Sequence, residues 1–126
     1  MFVTSQGSAY ARFQRALSTG NPHLIRTAAA ELSRIDLRDA LAICLVLLDH
    51  EPQAFPRAAT RWAGRLALEH PVGLTDAQLT LCALRALADG HGRAGAEALR
   101  ELCERYGLAH TDEVLLDWLD RRGLGD

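Results

Sequence analysis

Apolar residues recur every three or four positions along this chain, in stretches separated by short polar or glycine-containing turns. That period predicts helices from end to end. Tyr10, Phe13 and Leu17 share one face of a first helix over about residues 8–18, which stops at Gly20. Asn21-Pro22 suits the start of a second, with Asn as N-cap and Pro in the first turn; its inner side carries Leu24, Ile25, Ala28, Leu32 and Ile35. Asp36 caps a third helix, whose centre from Ala40 to Leu48 has no polar face. A helix apolar all round must be covered on every side, so this one is expected in the middle of the molecule. A fourth helix over 53–69 turns Phe55, Ala59, Trp62, Ala63 and Leu66 inward. Thr75-Asp76-Ala77-Gln78 has capping-box spacing and opens a fifth helix that buries Leu79, Cys82, Ala83 and Leu87. A sixth, over 93–106, buries Ala96, Leu99, Leu102, Cys103 and Tyr106 and pairs Arg100 with Glu104 and Glu101 with Arg105 at i,i+4. A seventh, over 112–122, presents Val114, Leu115, Trp118 and Leu119. Alternating, β-branched runs that would predict strands are absent from the sequence.

Three helices, each the second of a pair, carry an arginine near the start with alanines behind it: Arg26-Thr27-Ala28-Ala29, Arg57-Ala58-Ala59-Thr60 and Arg93-Ala94-Gly95-Ala96, with the arginines 31 and 36 residues apart. A two-helix unit of that length is the mark of a stacked helical repeat. The expected fold is therefore all-α: a short right-handed α-solenoid of about three helix pairs plus a C-terminal capping helix, about seven helices in one domain over 9–122. Residues 1–8 form a flexible polar lead-in.

The units resemble HEAT repeats over about residues 9–107. The best match is Leu47-Leu48-Asp49-His50-Glu51-Pro52 followed by Arg57-Ala58-Ala59 and Trp62. In that family a turn Asp and a second-helix Arg form a polar ladder between repeats, which the resemblance places at Asp49 with Arg57 and Asp89 with Arg93. The first unit supplies only Arg26. The chain is also similar, around Tyr10-Ala11-Arg12-Phe13-Gln14-Arg15-Ala16-Leu17 and Asp39-Ala40-Leu41-Ala42-Ile43-Cys44, to short actinobacterial all-helical proteins of uncharacterised role. That likeness implies no function.

Composition sharpens this picture little. The 126 residues are 48% apolar, enough for a single buried core. Net charge is −2, so no global field draws in nucleic acid or an anionic membrane. All basic residues are arginine, a bias that GC-rich coding explains. Cys44, Cys82 and Cys103 form no CxxC or Cys/His cluster, which argues against structural zinc, and all three are expected to be buried and inert. The N-terminus lacks signal-peptide character, and the nine-residue apolar run at 40–48 is too short to cross a bilayer. A reduced cytoplasmic protein is the simplest expectation.

Candidate chemistry is sparse. Arg57, Arg61 and Arg65 form one stripe on the fourth helix. The stripe reads first as a solvated face neutralised at its end by Glu69; otherwise its guanidinium groups could hold phosphate oxygens or a carboxylate-rich partner. The turn Asp49-His50-Glu51, with His91 of the next turn, could bind a metal or act in acid–base chemistry, although capping alone accounts for such residues. Leu115, Trp118 and Leu119 either close the core or form an exposed stripe for a homodimer or a partner helix. No nucleophile elbow, P-loop or dinucleotide fingerprint occurs. The expectation is a non-enzymatic protein–protein interaction module without cofactor, metal or membrane attachment. The alternative is accessory nucleic-acid binding through Arg57, Arg61 and Arg65.

Overall fold

Two helix starts work as their side chains dictate. The Asn21 side-chain oxygen accepts from the backbone N–H groups of His23 (3.0 Å) and Leu24 (3.4 Å); the Asp36 carboxylate accepts from that of Asp39 (2.9 Å). Each satisfies donors that a helix leaves open at its first turn. The computed structural model describes residues 5–125 and contains α1 (Ser5–Thr19), α2 (Pro22–Ala29), α3 (Leu37–His50), α4 (Phe55–Glu69), α5 (Leu74–Ala88), α6 (Gly92–Arg105) and α7 (Ala109–Arg121). A 3₁₀ turn at Pro52–Ala54 leads into α4. The chain is all-helical, with no strand among the described residues. Among the described residues, no helix is long and apolar enough to cross a membrane.

Among the described residues, helix α3 alone feeds both hydrophobic clusters. Leu37, Leu41, Cys44 and Leu45 join Phe55, Trp62, Leu66, Leu99, Leu115 and Trp118 in the larger cluster. Ile43 and Val46, on another side, pack on Phe13, Ala16 and Ile25 of the α1–α2 hairpin. Lying between two clusters is what the lack of a polar face demands.

Helices α3 to α7 close on themselves. Each packs on its successor, and α7 returns to pack on α3. This closure differs from an open stack of helix pairs, in which each unit touches only its neighbours. Its physical cause is the burial of Leu115, Trp118 and Leu119, which are 0%, 1% and 4% exposed within the larger cluster. The α5–α6 pair is tight: a Cβ at Gly95 would stand 2.7 Å from the Ala83 carbonyl oxygen, so only glycine allows this closeness of approach.

Several local expectations change. The helix start expected at residue 8 moves to Ser5, so part of the supposed lead-in is α1; its first four residues lie outside the described chain. Helix α2 ends at Ala29, the chain departing in turns before Ile35, and Leu24 near its start is half exposed. Gly73, not Thr75, stands at the N-cap of α5; Asp76 is turned away to accept from Arg105 (2.5 Å) and the Tyr106 hydroxyl (2.5 Å) at the end of α6. Cys82 is exposed, while Thr80 and Leu84 take the inner positions one helical face away. Arg100 reaches Asp112 of α7 (2.8 Å) and Arg105 reaches Asp76, so these arginines tie helices together rather than pairing along α6.

The indole N–H of Trp62 donates to the Leu37 carbonyl (2.9 Å), and the ring is 3% exposed. Trp62→Ala removes both the packing and the bond, and should cost about 3–5 kcal/mol in urea unfolding. A near-neutral result would contradict the burial.

Candidate functional site

The row Arg57, Arg61, Arg65 forms one wall of an open groove of about 640 Å³ between α2, α3 and α4. The row follows from a four-residue step on a helix of 3.6 residues per turn. The floor comes from α3, where Ala40, Ile43, Cys44 and Leu47 lie at i, i+3, i+4 and i+7 and so share one face. Arg26 and Ile35 border the other side. The sequence gives reason for each part: α3 has apolar residues in every direction, and the chain between α2 and α3 leaves one strip of it without a covering helix.

Charge in this groove is one-signed. Arg26, Arg57, Arg61 and Arg65 line it, and no acidic residue does. Arg26 is held by Glu51 (2.9 Å) and Arg65 by Glu69 (2.9 Å). Arg57 and Arg61 are exposed and make no side-chain hydrogen bond or ion pair among the described residues. Expected as a bare stripe, the row is thus a wall beside an apolar floor, a relation its helical spacing alone did not disclose. The apolar contributions of Ala40 and Ile43 were legible as core, and their partial exposure was not.

The groove offers binding groups and no reactive ones. Arginine does not give up its proton in proteins. Burial pushes the Cys44 thiol up to about 12, against the opposing influence of Arg61, so it stays protonated and unreactive. Cys103 is likewise pushed up to about 12 by burial.

A second cleft, of about 300 Å³, lies between α1, α3 and α7. Its base is Asp39, 3% exposed. The Tyr10 hydroxyl accepts from Arg38 and from the Gln14 amide (2.6 Å) and donates to Asp39 (3.4 Å), and Arg38 Nε lies 3.4 Å from the same carboxylate. These groups satisfy one another and fasten α1 to the start of α3. His110, Glu113, Asp117 and Arg121 of α7 border the cleft. No group of three or more His, Cys, Asp or Glu residues that could hold a metal occurs among the described residues.

Apart from His91, which is exposed at the start of α6, the other sequence candidates are engaged in the fold. Asp49 does not reach Arg57: it accepts from the Trp118 indole (3.2 Å) and pairs with Arg122, whose guanidinium lies 4.5 Å from the Trp118 ring centroid. Asp89 is paired by Arg85 (3.0 Å), and Arg93 pairs with Glu97 (3.1 Å). The expected Asp–Arg ladder is therefore replaced by other partners, because α7 returns to α3 and brings Arg122 to Asp49. Glu51 holds Arg26, and His50 sits against Gly20, whose added Cβ would be 3.0 Å from its ring. The acidic turn is a set of fasteners. Leu115, Trp118 and Leu119 cannot offer the interface stripe, since the core already covers them.

No known protein family, curated protein or solved structure matches this chain.

The Asp39 carboxyl has a testable signature. Burial raises its pKa most, the Asp36 carboxylate adds to this, and the Arg38 guanidinium and Tyr10 hydroxyl oppose it. A carboxyl raised in the folded state stabilises the fold while protonated, and that contribution is lost as pH rises through its folded pKa. Asp39→Asn keeps an acceptor for Tyr10 and removes the charge. The variant should match or exceed the parent in stability at pH 7, and the parent should gain on it as pH falls toward about 4. Parallel urea unfolding at several pH values checks this; an Asn variant weaker at pH 7 and closing the gap in acid would reverse the sign.

Proposed function

We propose that this protein is a non-enzymatic interaction module that holds a segment of another protein in the groove between α2, α3 and α4. The carrying observation is the combination of an apolar floor with a wall of arginines and no acid in the lining. Apolar surface left open beside ordered polar groups is the usual composition of a partner site. Three free cysteines fit a reduced, cytoplasmic setting in this reading.

Nucleic-acid backbone binding is the second reading, favoured by Arg57 and Arg61 being free of acidic partners. Phosphate contacts use the arginines and gain nothing from the floor of Ala40, Ile43 and Leu47. The protein segment uses both.

Ala58 lies in the groove lining, so Ala58→Trp fills the groove without touching its charges. Arg61→Glu reverses a wall charge without filling it. Affinity capture from the source cell should return a stoichiometric protein with the parent chain and lose it with both variants, each checked for unchanged circular dichroism and melting temperature. Capture that survives both substitutions overturns the groove. Association with an arbitrary duplex at low salt, weakened by added salt and by Arg61→Glu, would establish the nucleic-acid reading instead.

A further inference from the structure

The groove also specifies what kind of segment fits it. Four apolar positions on α3 at i, i+3, i+4 and i+7 line the floor over about 10 Å; Ala40 and Ile43 are its partly exposed members, and Cys44 and Leu47, 3% and 6% exposed, lie deeper. The three arginines of α4 extend about 12 Å at steps of about 6 Å. An α-helix presents its own apolar stripe at the same i, i+3, i+4, i+7 spacing, and flanking residues at i and i+4 again stand about 6 Å apart. An extended strand alternates its side chains between two faces and does not keep apolar and acidic groups along one side in that register.

The charge of the wall selects the flank. Two of the groove's arginines already have glutamate partners, Glu51 and Glu69, whereas Arg57 and Arg61 have none. The lining contains no carboxylate to offset them, in a chain whose net charge is −2. Guanidinium groups make their strongest contacts with carboxylates in bidentate geometry. We infer that the groove's occupant is an amphipathic helix of another protein that lays an apolar stripe on α3 and aligns a row of Asp or Glu side chains with Arg57 and Arg61. This inference rests on the reading of the groove as a protein-binding site.

Three synthetic helical peptides with one shared apolar face separate the two claims. One carries Glu along the flank, one Gln and one Lys, and each is titrated into the full ¹⁵N-labelled chain while backbone amide signals are followed. The Glu peptide should shift signals of α3 around Ile43 and of α4 around Arg57 and Arg61, more tightly than the Gln peptide and with affinity falling as salt is added. The double variant Arg57→Glu/Arg61→Glu should weaken the Glu peptide by about tenfold or more and favour the Lys peptide. Equal binding of the Glu and Gln peptides overturns the acidic partner and leaves the groove as a protein site. Absence of groove shifts with all three peptides overturns both. Concentration-dependent shifts of the same signals without peptide would make a second copy of the chain the occupant, and would likewise overturn the inference.

Discussion

Helix α3 has apolar side chains in every direction, and such a helix is stable only where other surfaces keep water off it. The remaining helices are arranged around that requirement. Trp62 and Leu66 of α4 and Leu115 and Trp118 of α7 share one cluster with α3, while Phe13 and Ile25 of the α1–α2 hairpin meet it on another side. Cover is incomplete along one strip, between the end of α2 and the outer edge of α4. That strip is the floor of the arginine-walled groove. The same constraint thus produces the core and, where it is not fully met, the surface with the most distinctive chemistry.

Polar side chains then fix how the helices meet. Tyr10 and Arg38 with Asp39 join α1 to α3, Arg26 with Glu51 joins α2 to the far end of α3, and Asp76 with Arg105 and Tyr106 joins α5 to α6. Arg100 with Asp112 joins α6 to α7, and Asp49 with Trp118 and Arg122 closes α7 on α3. Apart from the group around the buried Asp39, these pairs are at least partly exposed and contribute only about 0–1 kcal/mol each, so the burial of the aromatic and leucine side chains supplies the stability. The pairs supply register. Arginine suits the task because its planar fork engages a carboxylate in a defined geometry, and here an arginine joins in every such tie.

Helix number and the inward faces were legible in the sequence because a 3.6-residue period requires only local information. Phe13, Leu41, Trp62 and Leu99 were all placed correctly by it, whereas Trp118, left open between core and interface, proves to be core. Partnerships across the fold were not legible. Asp49 and Arg122 are 73 positions apart, and nothing in local spacing distinguishes Arg122 from Arg57 as the partner. Asp76 looked like part of a helix start because its neighbours have capping-box spacing, yet a tertiary partner claimed it. Cys82 was misplaced for a related reason: α5 is apolar on more than one side, so its pattern does not single out the buried face. The arginine row of the candidate site could be read from spacing alone, whereas the groove beside it depends on where α2 stops, which is set by the turns after Ala29.

The central claim is that α3 is the element on which the other helices depend, with α1–α2 joined to it through a small separate cluster. Native-state amide hydrogen exchange in low denaturant tests this residue by residue. Amides from Leu41 to Leu48 should exchange only through global unfolding, while those of α1 and α2 should open at lower free energy. Exchange of α3 through a partial opening that leaves α5, α6 and α7 protected would contradict the account.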